Sequence, residues 1–299
     1  MSEELKVSLI GLDTIHTMEY AGLMNDPDCP PSDKVNGMTV AHCLRFPSVF
    51  QSEEKQDVRQ CRLEELGINV TRDFETAVSD CDAIMLEIND PALHLEYFTK
   101  CVDLSKPIFI DKPLADTIEN AVAIRRIASE KDARVFSSSA VRFVPALAES
   151  CERIPKPLTA HFYGTLGKAA AGSSVIWYGV HTFEMLQRAM GIGALSVGVQ
   201  KDDAGLVAVV AYPDGRRGVV DLLTELWMYG GSLFEQEKAS QFVVPWPRLY
   251  ANALEQVAGF FRGGPAPVAM EETLEVMALL DAADRSYNSG RVENLRQIA

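Results

Sequence analysis

Lys112 is the first residue of the sequence for which chemistry is expected. It stands between Asp111 and Pro113, directly after the apolar run 107–110, and a short apolar run bounded by proline predicts a buried strand. Proline restricts the residue before it, so the Lys112 ammonium would be held at the strand end, where open α/β sheets bind ligands. A held ammonium can stabilise negative charge on a substrate oxygen. The alternative is a surface lysine before a turn, and the motif alone does not separate the two.

His181 is the candidate proton carrier. The stretch 181–190 has helical character and stops at Gly191, so a helix beginning at the histidine is predicted. A histidine at a helix start lies beside the positive end of the helix, which disfavours the imidazolium and favours a neutral base. The alternative is a histidine packed under an interface between domains.

The turn after the first predicted strand is where a dinucleotide is expected to bind. A strand at 7–10, a turn at Gly11 and a helix at 19–24 open a dinucleotide-binding unit. Such turns read G-x-G-x-x-G or G-x-G-x-x-A. Here only Gly11 matches, because Asp13 and His16 stand at the other two positions, and a carboxylate there would repel phosphates. Asp13 can equally be an N-cap or turn residue, and His16 a polar helix residue with no ligand.

The second predicted strand, 38–43, lacks the acid that normally binds the ribose hydroxyls of NAD. Arg45 follows it instead and can face a 2′-phosphate, although arginine is also an ordinary surface residue. Two of the three usual cofactor contacts are therefore missing.

Strands and helices alternate through the first half of the chain, and this alternation predicts a doubly wound parallel sheet. The second half begins with an alternating strand at 158–165 and has a hairpin whose turn is at 213–215. We therefore predict an α/β protein with an N-terminal Rossmann-like doubly wound parallel sheet in residues 1–140. Residues 141–299 are predicted to form a C-terminal α+β domain with a mostly antiparallel sheet, whose open face would suit a homodimer or higher homo-oligomer.

Composition excludes several classes of protein. The 299 residues carry a formal net charge of −14, which argues against nucleic acid or an anionic membrane as a partner. Six cysteines with no C-x-x-C pair or zinc spacing predict reduced thiols in a cytoplasmic protein. Neither a signal-peptide core nor an apolar run long enough for a membrane helix is found.

Several segments together resemble the Gfo/Idh/MocA family of oxidoreductases (glucose–fructose oxidoreductase, inositol dehydrogenase and relatives). The segment Asp111–Ala115 resembles the E-K-P-L-A signature of that family. Asn89–Glu96 resembles its turn followed by H-x-E, and Ser139–Phe143 resembles the segment that leaves its first domain. Gly179–Leu186 resembles its G-x-H helix start, and Glu271–Val276 resembles its returning helix.

The resemblance implies a nicotinamide enzyme, with NAD or NADP as cofactor, that acts on a sugar, polyol or similar small molecule. It implies Lys112 and His181 as catalytic residues, with the lysine near nicotinamide and substrate and the histidine exchanging a proton. The acid that family members carry four residues before this histidine is replaced by Trp177. The last helix is expected to return to the first domain. The candidate cofactor-binding residues are Gly11, Asp13, Thr14, His16, Arg45, Asn89, His94, Asp111 and Lys112.

Three family features are absent: the glycines that cradle the phosphates, the acid that binds the ribose and the acid paired with His181. Their absence leaves two other interpretations open. One is an enzyme without nicotinamide, a lyase or isomerase that uses carboxylates and imidazoles at the strand ends for acid–base work or for a divalent metal. No spacing matches a recognised metal-ligand motif, so no metal site is predicted. The other is a non-catalytic relative that binds or senses a ligand.

Overall fold

A computed structural model describes residues 4–297. The chain divides into two compact units. Within the described residues, unit 1 comprises 4–115, 123–137 and 250–268, and unit 2 comprises 116–122, 138–249 and 269–297. Among residues 4–297, no helix combines the length and the apolarity needed to cross a membrane.

The sheet of unit 1 has six strands in the order β3-β2-β1-β4-β5-β6. Pairing among the first five is parallel, and β4 and β5 are fully buried, as expected of strands covered on both faces. The doubly wound sheet is thereby confirmed. The strands are β1 (Leu5–Ile10), β2 (Met38–Leu44), β3 (Asn69–Thr71), β4 (Ala83–Leu86), β5 (Ile108–Asp111) and β6 (Val135–Ser138).

Helices connect these strands, and three of them begin at capping side chains. Thr14, Ser52 and Asp73 accept hydrogen bonds from backbone N–H groups of the first turns of α1, α2 and α3. The helices are α1 (Ile15–Asn25), α2 (Glu53–Glu65), α3 (Phe74–Val78), α4 (His94–Val102) and α5 (Ile118–Glu130).

Residues 250–268, which include most of helix α8 (Leu249–Phe261), belong to unit 1. The Arg134 guanidinium donates to the carbonyl oxygens of Phe260 and Gly264, and the Phe136 ring packs edge-on against Phe260. The last helix, α9 (Met270–Ser289), lies in unit 2. The segment that returns to the first unit is thus α8 rather than the last helix, because the aromatic face of α8 packs beside β6.

Unit 2 contains a seven-stranded mixed sheet in the order β12-β11-β7-β10-β9-β8-β13. Among residues 4–297, β7 and β10 form the one parallel pair of this sheet, so the mostly antiparallel sheet is confirmed. Alternating burial along β9 and β12 leaves one face exposed. The strands are β7 (Thr159–Thr165), β8 (Ser196–Lys201), β9 (Gly205–Ala211), β10 (Arg217–Leu223), β11 (Gly230–Phe234), β12 (Ala239–Val243) and β13 (Glu293–Asn294), joined by α6 (Pro145–Arg153) and α7 (Ser174–Met190).

Helix α7 begins seven residues earlier than the sequence indicated. The Ser173 hydroxyl accepts from the Ile176 N–H at 3.3 Å and caps the helix, so His181 lies two turns inside it. The expectation that a helix N-terminus neutralises this imidazole is therefore wrong, because that effect fades within the first turn.

Candidate functional site

Three ionisable side chains meet at the carboxyl ends of β1, β4 and β5. Leu86 pairs with Ile10 on one side and Ile110 on the other, which brings the residues after these strands side by side. The sheet reverses its strand order between β1 and β4, the position at which open α/β sheets bind ligands. We call the three side chains His16, Glu87 and Asp111 the switch-point cluster: their potential metal-ligating atoms lie within 4.8 Å of one another, and all three residues are buried.

The two carboxyl groups of the switch-point cluster, Asp111 and Glu87, differ in their tendency to be charged. Burial would raise the pKa of Asp111, but the charges of His16 and Lys112 and a 2.7 Å hydrogen bond from His16 Nδ1 lower it to about 2. Burial raises the pKa of Glu87 well above its ordinary value, and the Asp111 charge adds to this. Asp111 is therefore the charged carboxylate of the pair. Within the described residues, neither Glu87 carboxylate oxygen has a hydrogen-bond partner.

The Lys112 ammonium belongs to the same environment. Lys112 is only 5% exposed, and it precedes Pro113 through a cis peptide bond. Burial lowers the pKa of Lys112, while the charges of Asp111, Glu87 and Asp13 oppose that shift. A desolvated ammonium held among carboxylates is suited to stabilising charge on a reacting oxygen.

The Asp13 carboxylate is hydrogen-bonded to two other segments of unit 1. Its carboxylate accepts from the Ser48 hydroxyl at 2.6 Å and from the Asn89 N–H at 3.0 Å. Burial raises the pKa of Asp13, so its charge is disfavoured. A Cβ at Gly11 would lie 2.1 Å from the Glu87 carbonyl oxygen, so the glycine serves the approach of β4. Asp13 and Asn89 therefore tie the first turn to the loop after β4.

Arg45 forms ion pairs with acidic side chains of its own unit. Its guanidinium pairs with Glu53 and Asp57 at 2.6 Å each and donates to Gln60, and Arg45 is 4% exposed. The side chain that was expected to face a 2′-phosphate is thus already neutralised.

Two further predicted cofactor residues have clear structural contacts. Thr14 caps α1 by accepting from the His16 N–H. Both ring nitrogens of His94 face backbone carbonyl oxygens, those of Leu114 at 3.2 Å and of Ile88 at 2.9 Å. His94 therefore braces the loop that leads into α4.

The catalytic histidine candidate in unit 2 has a hydroxyl partner. His181 Nδ1 lies 2.7 Å from the Ser139 hydroxyl, and the Tyr229 ring centroid is 5.3 Å from the imidazole. Trp177 occupies the position of the expected acid, and Ser139 contacts the ring nitrogen instead. The contact fixes the orientation of the ring.

A buried ion-pair network holds Ser139. The Ser139 N–H donates to Glu184 Oε1 at 3.2 Å, Arg142 pairs with Glu184 at 3.0 Å, and Arg142 also pairs with Glu272 at 2.9 Å. Sequence reasoning gave no role to Ser139, Arg142 or Glu184. The spacing of three between His181 and Glu184, which puts both on neighbouring positions of one helix, was the available signal.

Comparisons with known proteins support the fold. No curated protein sequence matches this chain. GenD2 from gentamicin A biosynthesis, solved in complex with NAD, has a TM-score of 0.80 at 15% identity, covering 99% of this chain and 98% of that one. Myo-inositol dehydrogenase from Lactobacillus casei, in complex with NAD(H) and myo-inositol, has a TM-score of 0.80 at 14% identity over 98% of this chain and 97% of that one. A probable dehydrogenase from Thermotoga maritima has a TM-score of 0.79 at 16% identity, covering 99% of this chain and 100% of that one.

Residues 6–139 also match a family model described as an oxidoreductase family with an NAD-binding Rossmann fold. The resemblance found in the sequence motifs is thereby confirmed: these residues match the model of the Gfo/Idh/MocA oxidoreductase family.

Proposed function

We propose that this protein is an NAD-linked oxidoreductase that acts on a hydroxyl or carbonyl group of a sugar or polyol. The observation that carries the proposal is the Lys112 ammonium, buried at the carboxyl end of β5 beside the switch point. Structural relatives that include inositol dehydrogenases support the substrate class.

The first turn can accept a dinucleotide despite its missing glycines. The sequence argued that an Asp13 carboxylate would repel the pyrophosphate, but this carboxylate is bonded to Ser48 and Asn89 and its charge is disfavoured by burial. Gly11 and the start of α1 at Thr14 would then hold the pyrophosphate. When bound, the nicotinamide supplies the hydride acceptor.

The second strand favours NAD over NADP. A 2′-phosphate would approach Arg45, which is paired with Glu53 and Asp57, so the arginine has little attraction left and two carboxylates repel the added charge. An unphosphorylated ribose avoids that repulsion.

Two side chains of this protein are given roles in the reaction: Lys112 in charge stabilisation and His181 in proton transfer. Lys112 stabilises the negative charge that develops on the reacting substrate oxygen. His181 accepts the hydroxyl proton at Nε2, while Ser139 holds Nδ1. In the reverse direction, the same histidine returns the proton.

Calorimetric titration with NAD⁺ and NADP⁺, followed by NADH formation on inositols, aldoses and alditols, tests the proposal. Lys112→Met should retain its fold and lose about 100-fold or more in kcat, the scale of a lost electrostatic stabiliser. Lys100→Met is the matched control, because Lys100 pairs with Glu96 on an exposed helix surface. Absence of NAD⁺ binding, or equal activity of both variants, contradicts the proposal.

We also propose a homodimer or higher homo-oligomer through the exposed face of the sheet in unit 2. Val207, Val209 and Val243 are exposed on strands of that sheet. Light scattering should give a mass of at least two chains, and Val209→Lys should lower it.

A further inference from the structure

We propose that the switch-point cluster binds one divalent transition-metal ion, with His16, Glu87 and Asp111 as its protein ligands. This site goes beyond the oxidoreductase assignment and does not depend on it. Its ligand atoms come from the first turn of α1, the residue after β4 and the last residue of β5, and they lie within 4.8 Å of one another.

Glu87 supplies the observation that points to a ligand. The residue is completely buried, and neither of its carboxylate oxygens has a hydrogen-bond partner within the described residues. An ionised carboxylate in that position is strongly disfavoured unless it is paired and hydrogen-bonded. Protonation removes the charge but leaves an O–H donor and a carbonyl acceptor unsatisfied. A cation bound directly to the oxygens removes both costs.

The charge of the cluster also suits a cation. Metal ligands bind in their deprotonated forms, and in those forms the two carboxylates of the cluster outnumber the single positive charge of the neighbouring Lys112. A divalent ion therefore turns an excess of negative charge into a modest positive one.

The geometry needs only small movements. Ligands at about 2.0–2.2 Å from an ion lie roughly 3–4 Å apart. The 2.7 Å distance between His16 Nδ1 and Asp111 Oδ2 would lengthen slightly, and the Glu87 carboxylate would move towards these two atoms. The Tyr250 and Tyr20 rings lie 5.0 Å and 6.3 Å from the His16 ring and limit the space on that side.

The donor set selects the class of metal. One imidazole and two carboxylates suit Zn²⁺ or Mn²⁺ better than Cu(I), which favours thiolates, or Mg²⁺, which keeps most of its water. Cys43 is buried elsewhere in the unit and hydrogen-bonds to the Gly11 and Leu44 carbonyls, so no thiol joins the set.

Metal uptake by the whole protein tests the site without dinucleotide or substrate. Chelated protein is dialysed against ZnCl₂, MnCl₂ or MgCl₂, and bound metal is measured by mass spectrometry, with thermal unfolding recorded in parallel. We expect one Zn²⁺ or Mn²⁺ per chain and a higher Tm in its presence. Glu87→Gln should weaken binding by about 100-fold, since even an indirect partner of a metal ligand is worth 10- to 100-fold.

Two further variants complete the test. His16→Gln should also lose the metal, and Glu96→Gln, which changes an exposed acid of the same unit, should bind like the wild type. Equal uptake by Glu87→Gln and the wild type overturns the proposal. So does a wild type that takes up no ion, whatever the stability of Glu87→Gln. NAD⁺ binding is measured separately by calorimetry.

Discussion

The Ser139 hydroxyl lies 2.7 Å from Nδ1 of His181, on the side of the imidazole opposite the nitrogen that would meet a substrate. The backbone of Ser139 is itself held by Glu184. A histidine whose one nitrogen is fixed has a defined orientation for the other. Ser139 thus contacts the histidine in a chain where Trp177 replaces the acid that the family resemblance associates with it.

Removing the Ser139 hydroxyl should therefore reduce turnover. We expect Ser139→Ala to lower kcat by about tenfold with a smaller change in KM. A tenfold loss corresponds to about 1.4 kcal/mol, within the range of about 0.5–1.5 kcal/mol for one hydrogen bond. Ser139→Thr should recover most of the loss because it keeps the hydroxyl. Ser150→Ala is the control, since the Ser150 hydroxyl accepts a hydrogen bond from another buried serine, Ser240. If Ser139→Thr were as slow as Ser139→Ala, the hydroxyl would not be the active feature.

The sheet and the position of Lys112 could be predicted from sequence because both depend on local patterns. Apolar runs alternate with helical stretches, and Pro113 marks the end of β5. The roles of Asp13 and Glu87 could not be predicted in this way. Asp13 bonds to Ser48 and Asn89, which are 35 and 76 residues distant, and the neighbours of Glu87 follow only from the strand order.

The start of α7 was missed for a different reason. Its cap is Ser173, at the end of a glycine-rich segment that reads as a loop, while Gly179 within the helix resembles a break. Gly179 packs against Leu222 and Leu280, where a larger side chain would be crowded. Tertiary packing thus decides a position at which local propensity favours a stop.

Arg142 should be important for stability. Its replacement by methionine leaves the Glu184 carboxylate buried without its cation, and we expect a loss of about 3 kcal/mol in the free energy of unfolding. Urea denaturation measures the loss. The double variant Arg142→Met with Glu184→Leu should recover much of it, because both charges are then absent; a double variant no more stable than the single one would contradict this reasoning.

The pH dependence of stability should contain a contribution from Asp13. Burial raises its pKa in the folded state, so as pH rises above the ordinary value the unfolded chain loses this proton while the native state keeps it. The free energy of unfolding therefore falls through that window. Asp13→Asn lacks the titration, so its stability relative to wild type should improve between about pH 4 and about pH 7.

Asp73 provides a control of opposite sign. Hydrogen bonds from Thr76 lower the pKa of Asp73, so its contribution to stability is lost as pH falls. Asp73→Asn should therefore become less stable relative to wild type over the same pH rise. Parallel shifts of the two variants in urea titrations would contradict the assignment.

Cofactor preference should respond to the acids that neutralise Arg45. Replacing Glu53 by Gln and Asp57 by Asn together releases the guanidinium, and we expect the ratio of NADP⁺ to NAD⁺ affinity to rise by about tenfold, or about 1.4 kcal/mol. Titration calorimetry measures both constants. Glu54→Gln, on the same helix turn, should leave the ratio unchanged.

Thiol labelling should follow burial. Burial raises the pKa of Cys81 to about 11 and of Cys101 to about 12, and it raises that of Cys43 further. Since only the thiolate reacts, iodoacetamide at about pH 8 should label exposed Cys61 first and leave these three unmodified until the protein is unfolded. Mass spectrometry of peptides identifies the sites. Rapid labelling of Cys43 in folded protein would show that the strand region opens far more readily than its burial implies.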